Sequence, residues 1–281
     1  MQTTTGLFTI HQVKIPLDAL GIPIYLMPFG DIHRNAPNCH KDKWLEFLDW
    51  AKHKGRCYFL GMGDYDDLAS TSERMILSNK GLHDSTKKTL DDLYLTNTEL
   101  LYNEIQFMQD NMIGLMEGNH YGEFINGTTT TQKLAELLKC KYLGVSTFIR
   151  LSFEYSGKRT SLDVWAHHGK GNSRYLGGSL KRVEDMSALA EADIYLMGHD
   201  HKKSVGYMDR LVLKNGHGGI TLHHRKQLMA RTGSFLKGYE PDSVSYVADA
   251  AMNPTNLGVV KIELTPKVKA GNFFVDIHAS I

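Results

Sequence analysis

Five short polar clusters each follow directly on an apolar run: Asp31 with His33, Asp64 with Asp66 and Asp67, Asn119 with His120, His167 with His168, and His199 with His201. Carboxylates supply the negative charge that divalent cations need, and imidazole and amide groups complete the coordination without adding more. The chain has 14 histidines against 3 cysteines (Cys39, Cys57 and Cys140), with no CxxC spacing. Metal chemistry here is therefore nitrogen and oxygen chemistry, and neither a disulfide framework nor a thiolate site is indicated. Residues two apart in extended backbone point to one side, so Asp31 with His33, and His199 with His201, are expected to aim pairwise into one cleft if strand geometry continues through them. Singly, such an Asp is commonly a turn cap and such a His a solvated loop residue; the ordered set is what points to chemistry.

The elements that must position these clusters are the runs before them: PIYLMPFGDIH from Pro23, CYFLGMGDYDD from Cys57, NMIGLMEGNHY from Asn111, SLDVWAHHG from Ser161 and ADIYLMGHDH from Ala192. Strands that end in polar residues, alternating with amphipathic helices, predict an α/β protein with its site at the carboxyl ends of the strands. Trp44, Phe47, Leu48 and Ala51 fall at helical spacing, as do Leu90, Leu93, Tyr94, Leu101, Ile105 and Met108, so both stretches are expected to be packing helices. The polar stretch Leu68–Lys88 follows one motif directly and is expected to form a lid or rim. FEYSGKRTSLDVW and VVKIELTPKVKAGNFFVDIHA read as hairpins. Met108, Met112 and Met116 read as core filler.

With 281 residues, 42% hydrophobic and 22% charged, the chain is expected to fold as one domain over residues 1–281. A net charge of +1 offers no global attraction for nucleic acid or an anionic membrane. The first residues lack a basic segment followed by an apolar core, and no stretch reaches the roughly 18 apolar residues of a membrane span, so a cytoplasmic protein is expected. No sequence signal bears on the oligomeric state.

Taken in order, Asp31-Ile32-His33, GDYDD from Gly63, GNH from Gly118, HHG from His167 and GHDH from Gly198 resemble the DxH, GDxxD, GNH, lone His and GHxH motifs of the calcineurin-like metallophosphoesterase superfamily. The resemblance spans residues 23 to 203, and its HGKG stretch looks like a form seen in phage-encoded members. It implies a sandwich of two mixed β-sheets flanked by helices, and two divalent ions. One would be held by Asp31, His33, Asp64 and His201, the other by Asp64, Asn119, His168 and His199. Manganese is the first expectation; iron, zinc, cobalt or nickel suit the same donors. Ions about 3.5 to 4 Å apart would activate a bridging hydroxide and hold phosphate oxygens in line. Two divalent ions, two carboxylates and one hydroxide leave a net +1, suited to an anionic phosphoester. His120 would stand at the leaving group and Asp67 would orient it. Of the adjacent pair His167 and His168, the latter precedes Gly169 as family ligands do, and is favoured.

Tyr121 stands where the family usually has an acid, and Leu68 where protein phosphatases carry a phosphate-binding arginine. Hydrolysis of small organic or nucleotide phosphodiesters is the expected activity. The alternatives are a DNA nuclease, a phosphomonoesterase, or a non-catalytic interaction module. The glycine-rich stretches 169–178 and 215–219 read as loops that do not lead into a helix. Arg174 and Lys181 are minor candidates for phosphate contact. Lys87-Lys88, Lys202-Lys203 and HHRK from His223 are minor candidates for a nucleic-acid backbone. His217, His223 and His224 belong to no motif.

Overall fold

The computed structural model describes residues 7–79, 81–216, 218–241, 246–249, 251, 253–269 and 271–281. The first half of the chain runs β1 (Phe8–Pro16), β2 (Ile24–Phe29), α1 (Lys41–His53), β3 (Cys57–Gly61), α2 (Thr71–Asn79), α3 (Asp84–Ile105), β4 (Met112–Met116), α4 (Thr130–Leu137) and β5 (Tyr142–Gly144). The second half runs β6 (Ser146–Tyr155), β7 (Lys158–His167), α5 (Leu176–Met186), β8 (Ile194–Met197), β9 (Lys203–Gly216), β10 (Gly219–Ser234), α6 (Tyr246–Asp249), β11 (Gly258–Val259), β12 (Lys261–Lys269) and β13 (Asn272–Ser280).

All five motif-bearing runs are strands, shared between two mixed sheets. One sheet has the order β13-β12-β2-β3-β4-β5, with β2 to β5 parallel; the other has the order β1-β6-β7-β8-β10-β11, with β9 paired along β10. Apolar residues of both sheets meet face to face in one core that includes Leu26, Leu60, Ile113, Leu151, Val164, Leu196 and Leu228. Helices α1, α3 and α4 cover the outer face of the first sheet, and α5 covers that of the second. This is the expected sandwich. Its strands β2, β3 and β4 deliver three motifs at one sheet's edge, and β7 and β8 deliver two from the other, so the clusters meet across the seam.

Trp44, Phe47, Leu48 and Ala51 are buried as their spacing requires, and the three core methionines are buried. Both expected hairpins form, β6 with β7 and β12 with β13. Leu93 departs from expectation: it is 50% exposed, on the wall of a groove that residues of α2 and α3 line together. The stretch 169–178, read as a loop leading into no helix, runs directly into α5. The 215–219 stretch is the tip of the long β9–β10 hairpin, and His217 lies outside the described residues. His223 and His224 are exposed on its outer half, His224 against Asp209 at 2.5 Å. The basic clusters are largely engaged: Lys202 is buried and donates to the Ser173 carbonyl, Lys203 donates to Leu257 O, and Arg225 pairs with Asp193 and Glu191. No helix among the described residues is long and apolar enough to cross a membrane.

Candidate metal centre

Strand geometry does not persist through the motifs. Asp31, His33, Asp64, His199 and His201 have φ between 46° and 70°, five of the nine non-glycine residues with positive φ among those described. Extended alternation therefore does not aim these side chains; left-handed turns do. Such turns are strained for side chains of this size and persist only where surrounding bonds over-determine them. Asp31 N–H donates to Gly63 O at 2.9 Å, and Ile32 and His33 N–H donate to Asp64 O at 2.8 and 3.2 Å. Phe235 N–H and the Ser234 hydroxyl both donate to Asp31 O. Gly118 must be glycine, since a Cβ there would lie 2.0 Å from Asp64 Oδ1.

The two central carboxylates are arranged alike. Asp64 Oδ1 accepts the backbone N–H groups of Asn119 (2.6 Å) and His120 (2.9 Å), while Oδ2 faces His168 Nε2 at 3.3 Å and His33 Nε2 at 3.8 Å. Asp31 Oδ2 accepts His199 N–H at 2.9 Å, and its Oδ1 faces His201 Nε2 at 3.7 Å. Each carboxylate thus has one oxygen tied to backbone and the other turned to imidazoles. Asn119 Oδ1 lies 2.7 Å from His199 Nδ1 and 3.0 Å from His168 Nε2. Donor atoms of Asp31, His33 and His201 lie within 4.8 Å of one another, as do those of Asp64, His168 and His199, and of His33, Asp67 and His120. Asp64 touches both of the first two groups.

Asp31 Oδ1 and His33 Nε2 are buried without a hydrogen-bond partner, which is costly unless something else binds them. His168 donates Nδ1–H to Met62 O at 2.7 Å, which fixes the ring and turns Nε2 to the cluster. Burial alone would discharge His168, but Asp64 and then Asp31 raise its pKa to about 9. Burial, and the neighbouring charge of Asp64, lift Asp31 to about 7 despite His168. Burial and His168 together lower His199 to about 4. A set of buried oxygens and imidazole nitrogens, some unpartnered and others repelling, fits divalent cations.

His167 turns away, its Nδ1 accepting Gly169 N–H at 2.8 Å, so of the adjacent pair His168 joins the cluster. Asp66 also turns away, pairing with Arg34 at 3.1 Å. His120 Nδ1 lies 2.5 Å from Asp67 Oδ1, and His33 Nδ1 lies 3.5 Å from the same oxygen. Hydrogen bonds from His120 first and His33 second hold the Asp67 carboxyl well below its ordinary value.

No family model matches the chain, and no curated protein matches it. Solved structures of Vps29 are similar at a distance. A single-substitution variant from Entamoeba histolytica shares 12% identity at a TM-score of 0.35 over 92% of this chain and 100% of that one. Vacuolar Protein Sorting 29 from Cryptosporidium parvum shares 13% at 0.32, over 92% of this chain and 98% of that one. A likeness at this level carries no argument about the chain's activity.

Two arginines that carry no motif position the loops. Fully buried Arg231 donates to Gly198 O (2.8 Å) and Ser179 O (3.0 Å), and its Nε lies 3.5 Å from Asp200, which also accepts the Ser179 hydroxyl. The only signal was an arginine directly after the short apolar stretch Leu228-Met229-Ala230 of β10. Arg231→Met keeps the volume but strands Asp200 and the Gly198 carbonyl, and is expected to destabilise the metal-free protein by about 3 kcal/mol. Denaturant unfolding checks this; a loss under about 1 kcal/mol would remove Arg231 from its place as loop anchor. On α2, Arg74 donates to Asn119 O (2.9 Å), Tyr121 O (3.1 Å) and Ala69 O, and its guanidinium lies 3.6 Å from the Tyr121 ring centre. Where the motif leads one to expect an acid beside His120, a cation on an aromatic face braces the loop instead.

Proposed function

We propose that the chain is a dinuclear metal-dependent phosphodiesterase. The observation that carries this reading is the convergence of two backbone-anchored carboxylates, an amide and four imidazoles on one buried point, with Asp31 Oδ1 and His33 Nε2 left unpartnered. Asp31, His33, Asp64 and His201 would hold one cation, and Asp64, Asn119, His168 and His199 the other, as the motif resemblance implies. When bound, such a pair draws in phosphoryl oxygens and brings a water's pKa close to neutrality. Around it, His120 offers its Nε2 to the leaving oxygen while Asp67 fixes its other nitrogen. The preference for diesters over monoester dianions is supported by charge: Arg34, Arg74 and Arg231 are committed to carboxylates or carbonyls, leaving less cationic help for a second phosphate charge. The inward engagement of Lys202 and Lys203 supports a small substrate over a nucleic-acid backbone.

The deciding experiment strips the protein of metal and measures hydrolysis of an aryl phosphodiester and the matching monoester before and after manganese is added. Manganese-dependent diester turnover is the expected result. The opposite outcome is a non-catalytic binding protein: bound metal with no turnover of either ester would favour that reading.

The pKa shifts give an independent check through stability. His168, raised from 6.5 to about 9, stabilises the metal-free fold fully below pH 6.5 and loses that contribution as pH rises to 9. Asp31, raised from 3.8 to about 7, likewise disfavours the fold once it must ionise. A cation displaces these protons. The gain in Tm on adding manganese is therefore expected to widen from pH 6.5 to 8.5. A gain that stays constant or shrinks over that range would count against His168 as a ligand.

A further inference from the structure

Helices α2 and α3 diverge to leave an apolar groove lined by Leu68, Ile76, Leu77, Leu90, Leu93 and Tyr94, with a volume of about 230 Å³. Ile76 and Leu93 are each 50% exposed on its walls among the described residues. Its near end approaches the candidate centre: Leu68 is covalently next to Asp67, and the charges of Asp67 and His120 act on Glu73 on the groove wall. Arg74, the residue after Glu73, clasps the carbonyls on either side of His120 and thereby fixes α2 against the loop that presents it. The groove is thus held in register with the His120 end of the centre.

We infer that this groove is the subsite for one organic arm of the phosphodiester, and that the arm is apolar: an aryl ring or a short alkyl chain. Size argues for this, since an apolar cavity of about 150 Å³ suffices to hold benzene. Charge argues the same way, because the one carboxylate on the wall, Glu73, repels a second phosphate or any other anionic substituent. Arg74, the neighbour of Glu73, holds α2 on the loop that carries His120, which assigns this arm to the leaving-group side. Half-exposed leucine and isoleucine on a rim are otherwise a cost, and binding an apolar arm offsets it by removing them from water.

The inference rests on the phosphodiesterase reading, and its test keeps the two apart by measuring binding without turnover. Manganese-loaded protein is titrated calorimetrically with dimethylphosphinate, benzyl(methyl)phosphinate and methyl(4-phenylbutyl)phosphinate, which share the single negative charge of a phosphodiester and contain no ester. At least one aryl compound is expected to bind about tenfold tighter than dimethylphosphinate. Leu93→Asn, on an exposed helix face, is expected to shrink that advantage below about threefold while leaving dimethylphosphinate binding unchanged. Leu93→Trp, which fills the groove, is expected to do the same, and thermal melting establishes that both variants are folded. Equal binding of all three phosphinates, or an aryl advantage that survives both substitutions, overturns the groove while the centre stands. Binding of none overturns the phosphoesterase reading and the groove with it.

Discussion

Asp64→Asn is expected to remove manganese-dependent turnover by on the order of 10³-fold or more and to reduce the bound metal from two ions per chain to one at most. Loss of an outer contact to a metal ligand typically costs about 10- to 100-fold, so a carboxylate shared between both groups should exceed that. The substitution is well suited to the question because it changes charge with little change of shape. An asparagine Oδ1 still accepts the N–H groups of Asn119 and His120, now at 2.6 and 2.9 Å, so the loop that presents both residues stays in place. What changes is the other end of the side chain, where an amide donor replaces the anionic oxygen facing His168 at 3.3 Å and His33 at 3.8 Å. Despite burial, which raises it, His168 and then His33 hold the Asp64 carboxyl well below its ordinary value, so the metal-free variant is expected to lose some stability, and thermal melting establishes that it is folded before its metal content is read. Metal analysis and turnover on the same preparation decide it: two ions per chain with more than about a tenth of wild-type activity would sink the bridging assignment.

What the sequence makes legible, and what it hides, follows from how far each interaction reaches along the chain. The positions of several candidate ligands are legible because buried parallel strands must be continuously apolar, so the first polar residue after each run marks a strand end. Asp31, Asp64 and His199 are found in that way; Asn119 lies beyond Glu117 and Gly118, and His168 beyond His167, so both come from the motif resemblance. Their backbone conformation is not legible, because the bonds that hold it come from distant segments: His199 N–H to Asp31, Phe235 N–H to Asp31 O, Asn119 N–H to Asp64. Alternation predicts that Asp31 and His33 share a face; the left-handed turns achieve the convergence by another route. The long β9–β10 hairpin is hidden for the opposite reason. Among the described residues its outer half is left with Leu211, Leu213, Ile220 and Leu222 exposed, so no burial pattern reports it. Leu93 shows the limit of helical spacing, which says that a residue lies on the apolar face of α3 but not whether a neighbouring helix closes over it. Arg231 and Arg74 share a further difficulty: residues that mostly sit at surfaces are buried or braced here by carbonyl groups that no side-chain pattern encodes.

His120→Ala is expected to keep the metal content of the protein and still lower kcat by about 10² to 10⁴-fold. The geometry separates His120 from the other imidazoles. Its side chain is 27% exposed where those of His33 and His168 are 4%, and its Nδ1 is committed to Asp67 at 2.5 Å, leaving Nε2 as the nitrogen available to a substrate. Its backbone N–H, which helps anchor Asp64, is untouched by the substitution. A proton donor matters in proportion to the basicity of the oxygen it serves, so the loss should be large for an alkyl leaving group and small for 4-nitrophenoxide, which departs readily without help. A merely structural histidine would lower both by the same factor. Asp67→Asn should follow the same leaving-group trend at a smaller amplitude, about 10- to 100-fold, because it disturbs the orientation of His120 without removing the imidazole. It should also disturb His33, whose Nδ1 lies 3.5 Å from the same Asp67 oxygen, so some weakening of metal binding is expected from Asp67→Asn and none from His120→Ala. If His120→Ala instead releases metal, the imidazole is a ligand, and the proton for the leaving group must come from elsewhere.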